Sequence, residues 1–343
     1  MALTLTVDGP RWRAHLRSVA DRTPGLVPVA KGNGYGFGVG RLARKAGWLG
    51  SDLLAVGGYG ELSEVMGRFD GDVLVMTPRR VSSTGDSERV PTDPRLVHTV
   101  GRPEDLQALT ATVDRPRVLV EGLTSMRRHG LTMDELAHLV AHPPSGVRIE
   151  GLALHLPIGI DATQEVRDWL ALGLTRQVFV SHLSAGQLAD LRTRHPDVTI
   201  RPRVGTSLWL GDRAALTVSA TVLDVHAVTR GQRAGYRQRR VPRDGHLLVV
   251  AGGTAHGIGL EAPTAAASAR QRAIALARGG LDAAGLALSP YSWAGRQRWF
   301  LEPPHMQSSM LFLPASVPPP AIGAELGVEA RFTTTAFDQV TIS

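Results

Sequence analysis

Short apolar runs alternate with segments of helical periodicity between about residues 25 and 211, and this alternation sets the tightest limits on the fold. Such runs are typical of buried parallel strands, and the helices between them supply the crossovers that parallel strands need. Eight strands with intervening helices predict a closed, TIM-like (β/α)8 barrel. The predicted strands are Leu26–Ala30, Leu53–Val56, Val73–Met76, Leu96–Val100, Arg117–Val120, Glu150–His155, Gln177–Ser181 and Val198–Arg203, and the predicted helices span residues 40–48, 59–68, 103–113, 132–141, 163–174 and 184–194.

The pattern changes after about residue 215, where apolar and polar residues alternate one by one between glycine, proline and arginine turns. Runs such as Thr217–Val228 and His246–Ala251 are typical of antiparallel strands with one buried face. We therefore predict a mainly antiparallel β domain that includes the first strand, Leu3–Val7, and is interrupted by a helix at about 264–278. The predicted division is a barrel over residues 9–214 and a β domain over residues 215–343 together with residues 1–8.

The charge and the absence of cysteine argue against several classes of protein. The formal net charge is +7, but the arginines are scattered among acidic residues and do not form the basic stripe of a nucleic-acid-binding protein. The chain has no cysteine, which removes disulfides, thiolate metal sites and cysteine nucleophiles. No apolar run approaches the ~18 residues of a membrane span, and we see no export signal. We therefore predict a cytoplasmic protein with no nucleic-acid, membrane or metal partner.

Lys31 is one of only two lysines in the chain, which carries its other basic side-chain charges as arginine. The second lysine, Lys45, lies in an arginine-rich segment with the pattern of a solvated helix face. Unlike arginine, a buried lysine can lose its proton and attack a carbonyl to form a Schiff base. Lys31 directly follows the first predicted barrel strand, and the carboxyl ends of barrel strands carry active sites. We therefore predict that Lys31 is a reactive amine at the barrel mouth.

Two later loops at the same end of the barrel have the small residues that suit a phosphate. The loop after the seventh strand is Ser181–Gly186, and the loop after the eighth is Val204–Ser207. Free backbone N–H groups in such loops bind phosphate, and barrels often bind it after strands 7 and 8. A reactive lysine and a phosphate cradle in one barrel mouth predict pyridoxal 5'-phosphate as the cofactor.

The segment around Lys31 resembles a motif of the alanine racemase family. Residues 29–38 are Val-Ala-Lys-Gly-Asn-Gly-Tyr-Gly-Phe-Gly, and the family motif is similar: Val-Val-Lys-Ala-Asn-Ala-Tyr-Gly-His-Gly. Members of this family are pyridoxal-phosphate enzymes with a barrel followed by a β domain, and the resemblance runs through the whole chain. It implies that Lys31 forms the Schiff base with the cofactor and that Tyr35 contacts the cofactor phosphate.

Two further segments match the family in order. Residues 126–130, Met-Arg-Arg-His-Gly, resemble the family's Met-x-Arg-x-Gly, which implies that Arg128 lies near the cofactor's phenolic oxygen and the substrate carboxylate. Seven residues earlier, many relatives carry a carbamate-modified lysine that orients this arginine. Here the position is Glu121, which either supplies the negative charge directly or is an exposed charge at a strand end. Leu152–His155 resembles the strand whose terminal histidine, here His155, packs on the pyridine ring.

The segment after the eighth strand also resembles the family. Residues 203–209, Arg-Val-Gly-Thr-Ser-Leu-Trp, are similar to Arg-Pro-Gly-x-x-Leu-Tyr, which implies that Arg203 meets the pyridine nitrogen. Arg201 competes for this role, but strand alternation and Gly205 favour Arg203. An arginine there weakens the cofactor as an electron sink and so favours simple proton exchange at Cα. The phosphate-binding residues that the resemblance implies are Ser184, Gly205 and Thr206, with Leu183 in place of the family's usual asparagine.

The β domain departs from the family at the second base. Alanine racemases need a base on each face of Cα, and the second is a tyrosine of the partner subunit in Gly-Tyr-Ala-Asp-Gly. The corresponding residues are 253–257, with Thr254 in place of the tyrosine and His256 in place of the aspartate. Threonine is a poor base, whereas histidine titrates near neutral pH. A later Ser-Met-Asp motif is His-Met-Gln here, which makes His305 a second candidate base and implies substrate binding by Met306.

Three functions remain open at this point. The first is an amino-acid racemase or epimerase in which His256 or His305 replaces the tyrosine. The second is a pyridoxal-phosphate lyase, aldolase or other enzyme that deprotonates Cα on one face, for which Lys31 alone suffices. The third is a cofactor-binding protein with little catalysis. For an enzyme we expect a small amino-acid substrate and a head-to-tail homodimer, in which the β domain completes the partner's site.

Overall fold

The structure is a computed structural model that describes residues 2–80, 90–260 and 287–343. The helix predicted at about 264–278 lies outside these described residues. Within them, no helix combines the length and the apolar character needed to cross a bilayer. The chain forms two compact units: the barrel unit holds Arg13–Gly34 and Gly38–Gly211, and the β-domain unit holds Met1–Trp12, Tyr35–Phe37 and Asp212–Ser343.

Strands alternate with helices as far as about residue 210, and strands predominate beyond it. The helices are α1 (Gly9–Asp21), α2 (Val39–Trp48), α3 (Leu62–Val65), α4 (Pro103–Thr110), α5 (Met133–Ala141), α6 (Thr163–Ala171), α7 (Ala185–Arg194) and α8 (Thr206–Trp209). The strands are β1 (Leu3–Val7), β2 (Val27–Ala30), β3 (Leu53–Val56), β4 (Asp72–Val75), β5 (Leu96–Val100), β6 (Arg117–Gly122), β7 (Arg148–Leu154), β8 (Gln177–Val180), β9 (Thr199–Val204), β10 (Leu216–Val228), β11 (Arg233–Ala234), β12 (Arg239–Arg240), β13 (Gly245–Ala251), β14 (Leu288–Trp293), β15 (Arg296–Phe300), β16 (Ser308–Pro314), β17 (Glu325–Val328) and β18 (Gln339–Ile342).

Strands β2 to β9 close into a parallel barrel, which confirms the predicted fold class. Each strand pairs in parallel with the next, and β9 returns to β2 through the pairs of Val27 with Arg203 and Pro28 with Val204. Parallel pairing of consecutive strands brings their carboxyl ends together at one end of the barrel, here called the barrel mouth. The loops at this end carry the functional residues of such folds.

Side chains of the barrel strands alternate between two buried cores, as a period of two requires. Leu119 and Phe179 belong to a cluster built from strand residues, which fills the inside of the barrel. Their chain neighbours Val118 and Val178 belong to a second cluster that includes helix residues such as Leu188 of α7. Strands that are buried on both faces have continuous apolar sequences, which is why their bounds were predictable.

The helices agree less closely with the sequence pattern. Helix α1 is not among the predicted helices, because its arginine-rich sequence hides an apolar face on which Trp12 and Leu16 are fully buried. The helix predicted over residues 59–68 is wrong in extent, since the structure has only a 3-10 turn followed by the four-residue α3. Gly60 and Gly67 lie inside the predicted span, and glycine disfavours a helix interior.

An eight-stranded sheet forms the core of the β-domain unit, in the order β13-β16-β15-β14-β17-β10-β1-β18. Its neighbouring strands are antiparallel, apart from β1 and β18, which are parallel. The prediction that the first strand joins this sheet is confirmed by its pairing with β10, from Leu3 with Ala220 to Val7 with Leu216. Strands β11 and β12 form a separate hairpin, which lies near the candidate residues described below.

Candidate active site

Lys31 lies where the first barrel strand ends. It follows Ala30, the last residue of β2, and is exposed at the barrel mouth. Partial burial of the ammonium group lowers the pKa of Lys31, and the positive charges of Arg128 and Arg203 lower it further. Gly57, which follows β3, leaves room beside this lysine, because a Cβ atom there would lie 3.1 Å from the Lys31 Cβ atom. The structure thus places an amine with a lowered pKa at the barrel mouth.

Glu61 fastens the loop that carries Lys31, a role that the sequence pattern did not reveal. Its carboxylate accepts hydrogen bonds from the backbone N–H groups of Gly32 (2.6 Å), Gly57 (2.6 Å) and Gly58 (3.3 Å). These bonds join the loop after β2 to the loop after β3. The negative charge of Glu61 also raises the pKa of Lys31 and so opposes the effect of Arg128 and Arg203. The available sequence signal is weak: a glutamate three residues after the start of a turn.

Glu121 is a buried carboxylate that faces Arg128. The residue is 2% exposed, which excludes the alternative of an exposed charge at a strand end. Its Oε1 lies 3.6 Å from Nη2 of Arg128, and its Oε2 has no hydrogen-bond partner among the described residues. Burial raises the pKa of Glu121, and the positive charges of Arg203 and Arg128 oppose that shift. This arrangement supports the hypothesis that Glu121 supplies the negative charge beside Arg128.

The side chains of Arg203 and Arg201 make their hydrogen bonds at opposite ends of the barrel. The guanidinium of Arg201 donates two hydrogen bonds, of 2.9 and 2.5 Å, to Asp52, which precedes β3 and so lies at the amino end of the barrel. The buried Arg203 donates from Nη2 to the carbonyl oxygen of Leu154 (3.0 Å), at the carboxyl end of β7, and its Nε has no partner among the described residues. Burial lowers the pKa of Arg203 to about 10, with Glu121 acting in the opposite direction, so it remains protonated at neutral pH.

Two histidines follow neighbouring strands at the barrel mouth. His155 follows β7, and its Nδ1 lies 3.3 Å from the hydroxyl oxygen of Ser181. Burial, together with the charges of Arg128 and Arg203, lowers the pKa of His155 to about 3, so its ring is neutral at physiological pH. The His182 ring meets it edge-on, with centroids 5.4 Å apart. His182 was not predicted as a site residue, because its position depends on a left-handed backbone (φ +58°) that the sequence does not reveal.

The predicted phosphate ligands lie after the last two barrel strands. Ser184 caps helix α7, where its hydroxyl oxygen accepts a hydrogen bond from the N–H of Gln187 (3.3 Å), so the hydroxyl proton remains available. Gly205 precedes the short helix α8, which begins at Thr206 and whose first N–H groups have no partner within the helix. Tyr35 instead lies buried in a left-handed turn (φ +55°) that groups with the β-domain unit. The candidate residues that influence one another's charge in the barrel mouth are Lys31, Glu121, Arg128, His155 and Arg203.

His256 is bonded within the β-domain unit through both of its ring nitrogens. Nδ1 accepts a hydrogen bond from the N–H of Gly253 (3.2 Å), and Nε2 donates one to Oδ1 of Asp338 (3.0 Å). Asp338 is held in turn, because its Oδ2 accepts from the N–H of Leu3 (2.8 Å). The His256 side chain is only 12% exposed. A ring with both nitrogens occupied has no free lone pair for a proton, so these contacts favour a structural role.

His305 lies on the wall of an open cavity of about 730 Å³ within the β-domain unit. Its Nε2 lies 2.5 Å from Oε1 of Glu302, and its ring lies against Tyr236 with centroids 4.4 Å apart. Met306, which is largely exposed, and Thr254 line the same cavity. Three residues from the altered segments therefore surround one cavity. Glu302 was not identified from the sequence, because nothing in its local pattern distinguishes it from a surface acid.

Comparisons with known proteins agree on one family. The family model described as alanine racemase, N-terminal domain, matches residues 7–199. No curated protein sequence matches the chain. Among solved structures, the biosynthetic alanine racemase of Pseudomonas aeruginosa is 20% identical (TM-score 0.67, covering 96% of this chain and 91% of that chain), and the alanine racemase of E. faecalis is 21% identical (0.68, 95% and 88%). The alanine racemase of Bartonella henselae, solved with covalently bound pyridoxal phosphate, is 17% identical (0.69, 97% and 91%). At these identities the structural likeness shows the fold alone.

Proposed function

The chain belongs to the alanine racemase family, and on this premise we propose that it is a pyridoxal-phosphate-dependent amino-acid racemase or epimerase. The observation that carries the proposal is the position of Lys31 at the barrel mouth, where its amine has a lowered pKa. The positive charge of the buried Arg203 contributes to that lowering. Lys31 would bind the cofactor covalently and then act as acid and base on one face of Cα. The substrate would be a small amino acid whose carboxylate pairs with Arg128.

The residues of the barrel mouth fit this cofactor. The buried Nε of Arg203 has no partner among the described residues and so retains a hydrogen bond for a ring nitrogen. The neutral ring of His155 suits contact with an aromatic ring. The hydroxyl of Ser184 and the N–H groups of Gly205 and Thr206 are suitable donors for a phosphate. These donors and this ring support the predicted roles of the residues toward the cofactor.

Pyridoxal phosphate, when bound, withdraws electrons from the amino acid and so acidifies its Cα–H bond. Arg203 keeps its own proton at neutral pH, which limits this withdrawal and favours return of a proton to Cα over cleavage of another bond. The lowered pKa of Lys31 raises the fraction of neutral amine that can take a proton. Glu121 would hold the guanidinium of Arg128 against the substrate carboxylate.

The proposal extends to assembly. In a head-to-tail homodimer, the β domain of one subunit would complete the barrel mouth of the other, and Met306 would then contact the substrate. Tyr35 would contact the cofactor phosphate. The enzyme would work in the cytoplasm. Light scattering combined with activity at low protein concentration tests the assembly, and a monomer with full activity would contradict it.

Borohydride labelling tests the role of Lys31 directly, because the chain has only two lysines. Purified protein is mixed with pyridoxal phosphate, reduced and digested, and we expect the added mass on the peptide that contains Lys31. Lys45 provides the matched control: Lys45→Arg should retain the label and Lys31→Arg should lose it, with both variants checked for folding by circular dichroism. Labelling of Lys45 alone, or no change in absorbance when the cofactor is added, would contradict the proposal.

Deuterium exchange at Cα separates racemisation from the alternative functions. Exchange in both enantiomers with inversion supports a racemase. Exchange or cleavage without inversion favours a lyase, an aldolase or another enzyme that works on one face. Two observations favour this alternative: Thr254 stands where the family has its tyrosine, and both nitrogens of His256 are occupied. Cofactor binding without any exchange would leave a non-catalytic cofactor-binding protein.

A further inference from the structure

Arg128 lies in a loop of the barrel unit whose two ends are held beside strand β6. This segment, residues 123–130, is here called the Arg128 loop. Its first residue, Leu123, donates its N–H to the carbonyl oxygen of Leu131 (2.7 Å), and Leu131 donates its own N–H to the carbonyl oxygen of Glu121 (2.8 Å). The chain therefore leaves the strand and returns to it at one place, and backbone hydrogen bonds fix both ends of the loop.

The tip of the loop, residues 125–128, is exposed, so burial of side chains does not hold it in place. The guanidinium of Arg128 lies 3.6 Å from Oε1 of Glu121, which is longer than a usual hydrogen bond. Charge attraction at that separation depends on distance and does not by itself orient the guanidinium. Arg127 has a left-handed backbone (φ +51°), and its N–H donates to the carbonyl oxygen of Thr124 (2.9 Å). The direction of the Arg128 side chain therefore depends on the shape of this turn.

Helix α6 holds one side of the loop through a single carboxylate. Glu165 accepts a hydrogen bond at Oε1 from the N–H of Ser125 (2.5 Å) and another at Oε2 from the Ser125 hydroxyl (2.8 Å). Both oxygens of the carboxylate thus bind one loop residue shortly before Arg128. The preceding residue, Thr124, is buried, and its hydroxyl donates to the carbonyl oxygen of His155 (2.6 Å). These contacts fasten this side of the loop to a neighbouring helix and to the end of a neighbouring strand.

A salt bridge with a buried carboxylate holds the other side of the loop. Arg80, which follows β4, pairs through Nη1 with the buried Asp105 of α4, and its Nη2 donates to Nδ1 of His129 (3.3 Å). Burial and the charges of nearby arginines lower the pKa of His129, so its ring is neutral and Nδ1 can accept a hydrogen bond. Because His129 directly follows Arg128, the loop is held on both sides of Arg128.

We propose that Glu165 and Arg80 are positioning residues that orient Arg128 toward the substrate carboxylate, an inference that rests on the proposed function. Loss of either contact gives the exposed tip more conformational freedom, and binding of the carboxylate must then order the tip again. The carboxylate keeps its charge throughout the proposed reaction. The loss therefore weakens substrate binding in the ground state and in the transition state alike, so it raises KM more than it lowers kcat.

The first test measures the loop itself, in full-length protein without the cofactor. Trypsin cuts mobile, exposed backbone after arginine, and the loop contains Arg127 and Arg128. Cleavage at these two positions, followed by mass spectrometry, should be at least about fivefold faster in Glu165→Ala and in Arg80→Gln than in wild type. The matched control is Asp168→Ala, which removes an exposed carboxylate from the same helix and should leave the cleavage rate unchanged. Equal rates in wild type and in both variants would overturn the inference.

The second test measures kcat and KM for deuterium exchange at Cα of alanine by full-length protein loaded with cofactor. A racemase and an enzyme that works on one face both catalyse this exchange. Glu165→Ala should raise KM by about tenfold and change kcat less. The control Arg102→Gln removes another cation that lowers the pKa of His129 and should behave like wild type. Glu165→Ala should raise KM no further when it is added to Arg128→Leu, because the contact acts through the Arg128 side chain.

The outcomes distinguish this inference from the proposed function. An unchanged KM in both Glu165→Ala and Arg80→Gln overturns the positioning role and leaves the proposed function intact. The positioning role is also overturned if Glu165→Ala has its full effect in the absence of the Arg128 guanidinium, as a purely structural residue would. If wild type exchanges no amino acid, the proposed function and this inference both fall. Circular dichroism checks each variant for folding, and Glu165→Gln, with a smaller expected effect, takes the place of Glu165→Ala if that variant does not fold.

Discussion

Replacing His256 with alanine removes two hydrogen bonds from the β-domain unit, one from the N–H of Gly253 (3.2 Å) and one to the carboxylate of Asp338 (3.0 Å). A neutral hydrogen bond contributes about 0.5–1.5 kcal/mol, and a bond to a charged group about 1.5–3 kcal/mol. The Asp338 side chain is 42% exposed, so solvent screens its bond and the lower values apply. We therefore expect His256→Ala to lower the free energy of unfolding by about 2 kcal/mol.

Urea unfolding of the full chain measures this loss, and racemisation is measured well below the unfolding midpoint. We expect a lower midpoint but a racemisation rate per folded molecule close to that of wild type, because both ring nitrogens of His256 already have hydrogen-bond partners. The matched control is His226→Ala, whose exposed pair with Asp224 should change stability by no more than about 0.5 kcal/mol. Loss of racemisation with unchanged stability would refute the reasoning, because it would make His256 the second base.

Three further changes test the electrostatics of the two units. Glu61→Gln weakens the hydrogen bonds that hold the loop carrying Lys31. Because each hydrogen bond to a charged group contributes about 1.5–3 kcal/mol, the rate of cofactor capture, measured by absorbance, should fall by about tenfold. The exposed Glu64→Gln is its control, and equal rates would contradict the role. Arg128→Leu removes a cation that lowers the pKa of Lys31, so the pH midpoint of cofactor capture should move upward; an unchanged or lower midpoint would disprove this coupling. Asp338 has a lowered pKa because its hydrogen bonds outweigh its burial, so its stabilisation is present at neutral pH and is lost as pH falls through the folded pKa. The stability deficit of Asp338→Asn should therefore vanish in acid, and a deficit that persists at about pH 2 would count against this.

The barrel was predictable from sequence because its strands are buried on both faces. Leu53–Val56 is a continuous apolar run whose bounds agree with the structure, and the bounds of Leu96–Val100 agree as well, although this buried strand also contains His98 and Thr99. Helix α1 could not be found in the same way, because the arginines around Trp12 and Leu16 obscure its apolar spacing. A strand that is buried on both faces can be predicted from its apolar composition, whereas prediction of an amphipathic helix needs a clear contrast between its apolar and polar faces.

The candidate site was only partly predictable, for a different physical reason. Lys31 belongs to a compact motif, so a single segment was enough to make it a candidate. Glu61 and Glu302 act through backbone N–H groups that are distant in sequence: Glu61 accepts from Gly32, and Glu302 accepts from Tyr236. Such bonds leave no periodic pattern, because any loop N–H group can be the donor. The contacts of these two carboxylates are therefore visible only in the three-dimensional arrangement.

If the protein has the proposed function, the charges of the barrel mouth would link attraction of the cofactor to its attachment. Lys31, Arg128 and Arg203 supply three basic side chains near two carboxylates, Glu61 and Glu121, and the neighbouring histidine rings have lowered pKa values. Such a field attracts ligands that carry a phosphate and a carboxylate before any specific contact forms. A lysine must be neutral to attack a carbonyl. Burial and the two arginines lower the pKa of Lys31, so the cations that would attract the phosphate also make the amine available for the cofactor's aldehyde.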